Sequence, residues 1–133
     1  MKPTTSLVDR LAATAAGTWG EEAAIWLLNT HGHWLPELDR CGHIHTQPAN
    51  GWTATLIDDY VGDDHYLIST PSEGQVLDIA MALYRGKTQT SLSGLTTLDE
   101  QNRRMVLHAI AWAAGGRHWA DQLGLLASTT QER

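Results

Sequence analysis

Thr70-Pro71-Ser72-Glu73 is the sharpest start signal in the chain, and it fixes one helix before anything else is decided. Proline suits the first helical position, where its missing N–H costs nothing. A threonine and a glutamate three residues apart can each satisfy the other's free backbone donor. Downstream, Val76, Ile79, Ala80, Leu83 and Tyr84 recur at helical spacing, Leu77 and Met81 widen the stripe, and Gly86 ends it. That stripe has to be buried against other elements.

The flanking segments supply further helices. Thr18 and Glu21 repeat the capping pattern ahead of a stripe formed by Ala24, Leu27, Leu28 and His31, with Gly32 able to take the left-handed cap. Pro36 forbids much continuation beyond it. Leu7, Val8, Leu11 and Ala12 form a short first helix that Gly17 stops. A last main helix is predicted from about Asp99 to Ala114, burying Met105, Val106, Ala109, Ile110 and Ala113 before Gly115 and Gly116 stop it. A final short turn from His118 to Leu126 is expected to pack through Trp119, Leu123 and Leu126.

Between Cys41 and Ile57 the texture changes to glycine, proline, asparagine and β-branched residues. His43–Thr46 and Trp52–Asp58 read as the arms of a hairpin turned by Pro48, Asn50 and Gly51, because Trp52, Ala54 and Leu56 alternate against Thr53, Thr55 and Ile57. Tyr66, Leu67 and Ile68 can add a third strand after the acidic stretch Asp58–His65. The expected fold class is therefore α+β, a small antiparallel sheet of two to three strands packed among four to five helices. With 133 residues and no internal repeat or linker, it is expected to form a single domain over residues 1–133.

The formal charge of −6 is concentrated in the first half, where residues 1–70 carry nine acids against three bases. Such a surface repels phosphate backbones, so nucleic-acid binding is disfavoured unless Arg85, Lys87, Arg103, Arg104 and Arg117 gather on one face. No apolar run approaches the roughly 20 residues that a membrane span requires. Asp9 and Arg10 interrupt what would have to be the apolar core of a signal peptide. A single cysteine excludes an internal disulfide and fits a reducing cytoplasm, while leaving a thiol that can ligate metal or link a homodimer.

Chemistry is densest between Thr30 and Thr46, which holds His31, His33, His43, His45 and the only cysteine, Cys41. Imidazole and thiolate bind zinc and move protons near neutral pH. On a strand, Cys41, His43 and His45 share a face, and residues two apart are separated by about 7 Å, within reach of one ion. Cys41 and His45 are about 13 Å apart on a straight strand, so Cys41 joins only if the backbone bends at Gly42. His31 and His33 could complete the shell, although a continuing helix would put them about 200° apart. The other account is a set of half-buried imidazoles with Cys41 in the core. No C-x-x-C or H-E-x-x-H motif is present. Asp58, Asp59, Asp63, Asp64 and His65 offer carboxylates and a base for metal-dependent hydrolysis, yet a glycine-containing loop of like charges is more often simply solvated.

Six tryptophans and no phenylalanine is an unusual balance, and not all of those rings fit inside so small a core. Trp26, Trp34 and Trp112, together with the acidic loop of Asp58, Asp59, Asp63 and Asp64, are the expected partner-binding surface, since an indole with one polar N–H makes a good anchor. The segment Leu98-Asp99-Glu100-Gln101-Asn102, followed by an alanine-rich helix closing on Gly115 and Gly116, resembles a group of small uncharacterised proteins of actinobacteria and their plasmids or phages. The likeness covers roughly residues 18 to 116. It implies a cytoplasmic, mobile-element context and supplies no active-site residues. The expectation is a non-enzymatic accessory or regulatory protein acting by protein–protein contact without a cofactor. The alternatives are a zinc-binding protein or metal-dependent hydrolase using the His31–His45 segment, and a nucleic-acid-binding regulator using Arg103 and Arg104.

Overall fold

A computed structural model of the chain describes residues 6–47, 53–56, 70–85 and 92–126. Among them are six α-helices: α1 (Leu7–Ala15), α2 (Trp19–His31), α3 (Trp34–Arg40), α4 (Pro71–Arg85), α5 (Glu100–Gly115) and α6 (Arg117–Gln122). A 3₁₀ turn, Leu92–Thr97, precedes α5. Two four-residue strands, β1 (Ile44–Gln47) and β2 (Thr53–Leu56), pair antiparallel with Ile44 opposite Leu56 and Gln47 opposite Thr53.

The expected α+β class is overturned. Helices carry most of the described residues, and the strands form a narrow ribbon alongside α1 rather than a sheet that the helices cover. The buried core is drawn from the helices and Leu98, and of the strand side chains described only Ile44 packs against it. Most of the apolar surface that shields the helices comes from other helices, which is the helix-on-helix solution to burial, while the ribbon lies against α1. The third strand expected at Tyr66–Ile68 lies outside the described residues, as does the stop at Gly86.

The centre of the molecule is α2, which packs on α4, α5, α1 and α3. Its sequence predicts one stripe, but Ala23, Ala24 and Ile25 are buried in succession, followed by Leu27 and Leu28. A helix apolar on several sides belongs inside. Thr18 makes no side-chain cap, so the expected box with Glu21 does not form. Glu22 does that work instead, accepting from the Gly17 N–H through Oε2 at 2.7 Å. Gly32 takes the left-handed conformation at φ 88°, as its position after the stripe predicts.

Pro36 does not bar a helix. Because α3 starts at Trp34, the proline sits in its first turn, where backbone N–H groups have no helical acceptor anyway. The box at the start of α4 forms on both sides: the Thr70 N–H donates to Glu73 Oε1 at 2.9 Å, and the Glu73 N–H to Thr70 Oγ1 at 3.2 Å. Val76, Leu77, Ile79, Ala80 and Met81 are buried along its length.

The Leu98–Asn102 segment is a structural clamp. Leu98 is buried, and Asp99 Oδ1 caps α5 by accepting from the Asn102 N–H at 2.8 Å. Asn102, itself buried, donates through Nδ2 to Ser72 Oγ of α4 at 2.9 Å, tying the N-termini of two helices together. At the other end, Gly116 leaves α5 at φ 93°, and a Cβ there would stand 3.2 Å from the Trp19 ring. The closing turn does not pack as predicted: Ala120 is buried, while Trp119, Leu123 and Leu126 are about half exposed.

Candidate functional site

The predicted partner surface is rearranged by the fold. Trp34 is only 1 % exposed and anchors α3 to α4, its Nε1–H donating to the Glu73 carbonyl at 2.8 Å. It presents no surface to a partner. Trp26 and Trp112 do come together, with ring centroids 6.1 Å apart, although Trp112 is largely buried. Among the described residues the exposed indoles are Trp19 and Trp119. Asp58, Asp59, Asp63 and Asp64 lie outside the described residues, and so does His65.

The histidine segment divides in two. The turn at Gly32 ends α2 and brings His31 and His33 to 6.3 Å between ring centroids, where a continuous helix would have separated them. His33 packs edge-on against Trp34 at 4.7 Å. Burial is the main influence on His31 and pushes its pKa below the usual imidazole range; Glu73 and Asp99 oppose that effect and His33 adds to it. Cys41 follows α3 as its C-cap, His43 is half-buried with its N–H bonded to the Leu38 carbonyl at 2.8 Å, and His45 is exposed on β1. Among the described residues, no three histidines, cysteines or acids are arranged to hold a metal ion. The arginines proposed for nucleic acid are engaged within the chain: Arg103 donates to the Leu98 carbonyl at 3.3 Å, and Arg104 pairs with Glu100 at 2.8 Å.

A cleft of about 430 Å³ opens where α1 and α2 meet the junction of α5 and α6. Val8 and Ala12 of α1, Ile25 of α2 and the indoles of Trp26 and Trp112 line it with apolar surface. Glu22, Asn29 and Arg117 supply the polar groups. Its size lies within the range of about 300–1,000 Å³ usual for binding pockets, and mostly apolar walls with a few placed polar groups are their common make-up.

Glu22 and Arg117 are both engaged with the Trp112 indole. Glu22 spans two elements, since Oε1 accepts from Trp112 Nε1–H at 3.0 Å while Oε2 holds the Gly17 N–H. Arg117, which also lines the cleft, lies over the Trp112 ring with its guanidinium carbon 5.4 Å from the centroid, a cation–π arrangement. Behind the two indoles sits His108, 3 % exposed, with its ring 4.7 Å from Trp26 and 6.2 Å from Trp112. Its Nδ1 is buried with no hydrogen-bond partner, and its Nε2 is 3.6 Å from Asp121 Oδ1, too long for a good hydrogen bond. Burial lowers its pKa below the usual imidazole value, with Asp121 acting against the shift and Arg117 with it.

Glu22, His108 and the role of Arg117 as a cleft cation are not visible in the sequence pattern. Trp112 and Arg117 meet only because Gly116 turns the chain between α5 and α6, and Glu22 reaches Trp112 only through the packing of α2 on α5. The excess of tryptophan is the one signal that pointed here. No family model, curated protein or solved structure matches the chain.

Proposed function

We propose that the protein is a non-enzymatic accessory factor that works by binding a protein partner, and that the cleft between α1, α2 and α5 is the place of contact. The observation that carries this reading is the pairing of two indoles with an arginine around an open apolar recess. Aromatic residues and arginine dominate the anchors of protein interfaces, because they bury large areas while keeping a polar contact. The plasmid- or phage-borne setting implied by the sequence resemblance suits a small factor that acts by attaching to a larger machine.

The test uses the full chain immobilised in a lysate of the organism that encodes it, beside an Ala12→Trp variant. Ala12 is exposed on α1, so the larger ring fills the cleft without entering the core. The expected result is a partner, identified by mass spectrometry, that wild type retains in stoichiometric amount and the variant does not. Equal retention by both would remove the cleft from the function.

A further inference from the structure

We infer that His108 is a proton-operated latch: with its ring neutral, α6 seats against α5, and a proton on the ring releases α6 and withdraws Arg117 from the lining of the cleft. The ring is buried against Trp26 and Trp112, and its Nδ1 has no hydrogen-bond partner. An imidazolium carries an N–H on both nitrogens, so protonation in place adds an unmet donor to a buried charge. The seated ring resists that. Its Nε2 faces Asp121 Oδ1 of α6 at 3.6 Å, too long for a good hydrogen bond, and the Asp121 side chain is well exposed, so water screens its pull.

The surrounding charges do not rescue the proton. On α5 itself, Arg104 lies one turn before His108 and is held by Glu100 and the Leu125 carbonyl. On α2, Trp26 is uncharged, and Glu22, one turn before it, is bonded to Gly17 and Trp112. From α6, Asp121 favours the proton and Arg117 opposes it, and burial outweighs both. The charged ring is therefore better served by water than by its seat.

The nearest way to water is through α6, which is the least anchored cover over the ring. It is six residues long, has no side-chain N-cap and buries only Ala120. Gly116, at φ 93°, joins it to α5, and the Trp119 ring lies directly over Gly115, with no side chain of α5 interposed. Past its end, Arg104 Nη1 holds the Leu125 carbonyl at 3.3 Å. A short helix on a glycine joint yields before α2 and α5, whose buried residues make the core.

Amide exchange followed by nuclear magnetic resonance on the full chain tests this at Ala120, Leu123 and Gly124, whose N–H groups donate to the carbonyls of Gly116, Ala120 and Asp121. These amides are expected to exchange faster than Leu27 and Leu28 of α2 at every pH, which marks a local release rather than global unfolding. Corrected for the intrinsic pH dependence of exchange, their protection should fall as pH drops from 7.5 to 5.5, by at most about tenfold per unit below about pH 6.5, because one proton is taken up. His108→Leu should flatten that fall. Asp121→Asn, which removes the charge that favours the proton, should leave it at least as steep, and His118→Gln, a change at the exposed histidine of α6, should leave it as in wild type. Exchange at the rate of Leu27 and Leu28, a fall that survives His108→Leu or one that His118→Gln abolishes overturns the latch. A rise of protection in acid that Asp121→Asn removes also overturns it, since His108 and Asp121 would then lock the helix. If His108→Leu does not fold, the wild-type and Asp121→Asn profiles decide. Every readout is made on the chain alone, so none of these outcomes bears on what the cleft binds.

Discussion

Asn102 and His108 are both buried polar side chains of α5, and the fold treats them oppositely. Asn102 is satisfied by Ser72 and Asp99, whereas His108 leaves Nδ1 without a partner between two indoles. A buried, unpaired imidazole resists protonation, so the folded-state pKa of His108 lies below the ordinary value of 6.5, and that of His31 is depressed for the same first cause. The unfolded chain therefore takes up more protons as pH falls. Stability should be intact above about pH 6.5, decline as pH drops through 6.5 toward the lower folded-state values, and level off beneath them. Thermal melts between pH 7.5 and 5.5 should show a falling Tm, and His108→Leu should shrink that fall while staying within about 1.5 kcal/mol of wild type at pH 7.5. A Tm independent of pH over this range would contradict the burial of the His108 ring and the partial burial of His31. Trp34 offers a second residue-scale test. Replacing it with Phe keeps the apolar bulk but loses the bond to the Glu73 carbonyl, for an expected cost of about 1 kcal/mol in urea unfolding. Trp34→Ala should cost about 3–5 kcal/mol.

At the scale of elements, the close approach of α2 to α4 is the contact most open to test. A Cβ on Gly20 would stand 2.6 Å from the Leu83 carbonyl oxygen, a backbone atom that cannot swing aside. Helix propensity alone gives Gly20→Ala a gain of about 1 kcal/mol. The packing reverses the sign, and a loss of about 1–3 kcal/mol in urea unfolding is expected. A gain would mean that the two helices are not in contact there. What the sequence disclosed about the elements followed locality. The Thr70–Glu73 box and the Gly32 cap are set by residues a few positions apart, and both form. The Thr18–Glu21 box does not form: the Thr18 N–H that Glu21 would have to accept donates to the Ala15 carbonyl at 3.0 Å, and Glu22, one residue on, meets the Gly17 N–H and the Trp112 indole, the second of which arrives only with tertiary packing. Pro36 looked like a terminator because its meaning depends on where the next helix begins, and Trp34 starts one two residues before it.

For the molecule as a whole, periodicity could find the amphipathic helices but not the layer they would form. The alternation at Trp52–Ile57 signals extended chain without saying whether that chain is central or marginal, and the ribbon proves to lie beside α1 while α2 takes the centre. The cleft was legible only as a surplus of tryptophan. Its assembly from Trp26 on α2, Trp112 on α5 and Arg117 on α6 requires three helices to be in place, which no local pattern encodes. The most direct measurement of the central claim is amide hydrogen exchange on the full chain, free and bound to the partner recovered by retention. Added protection is expected in α1, α2 and the α5–α6 junction around Arg117, with the β1–β2 ribbon unchanged. Protection confined to the ribbon, or to the exposed indoles of Trp19 and Trp119, with the cleft helices exchanging as in the free protein, would contradict it.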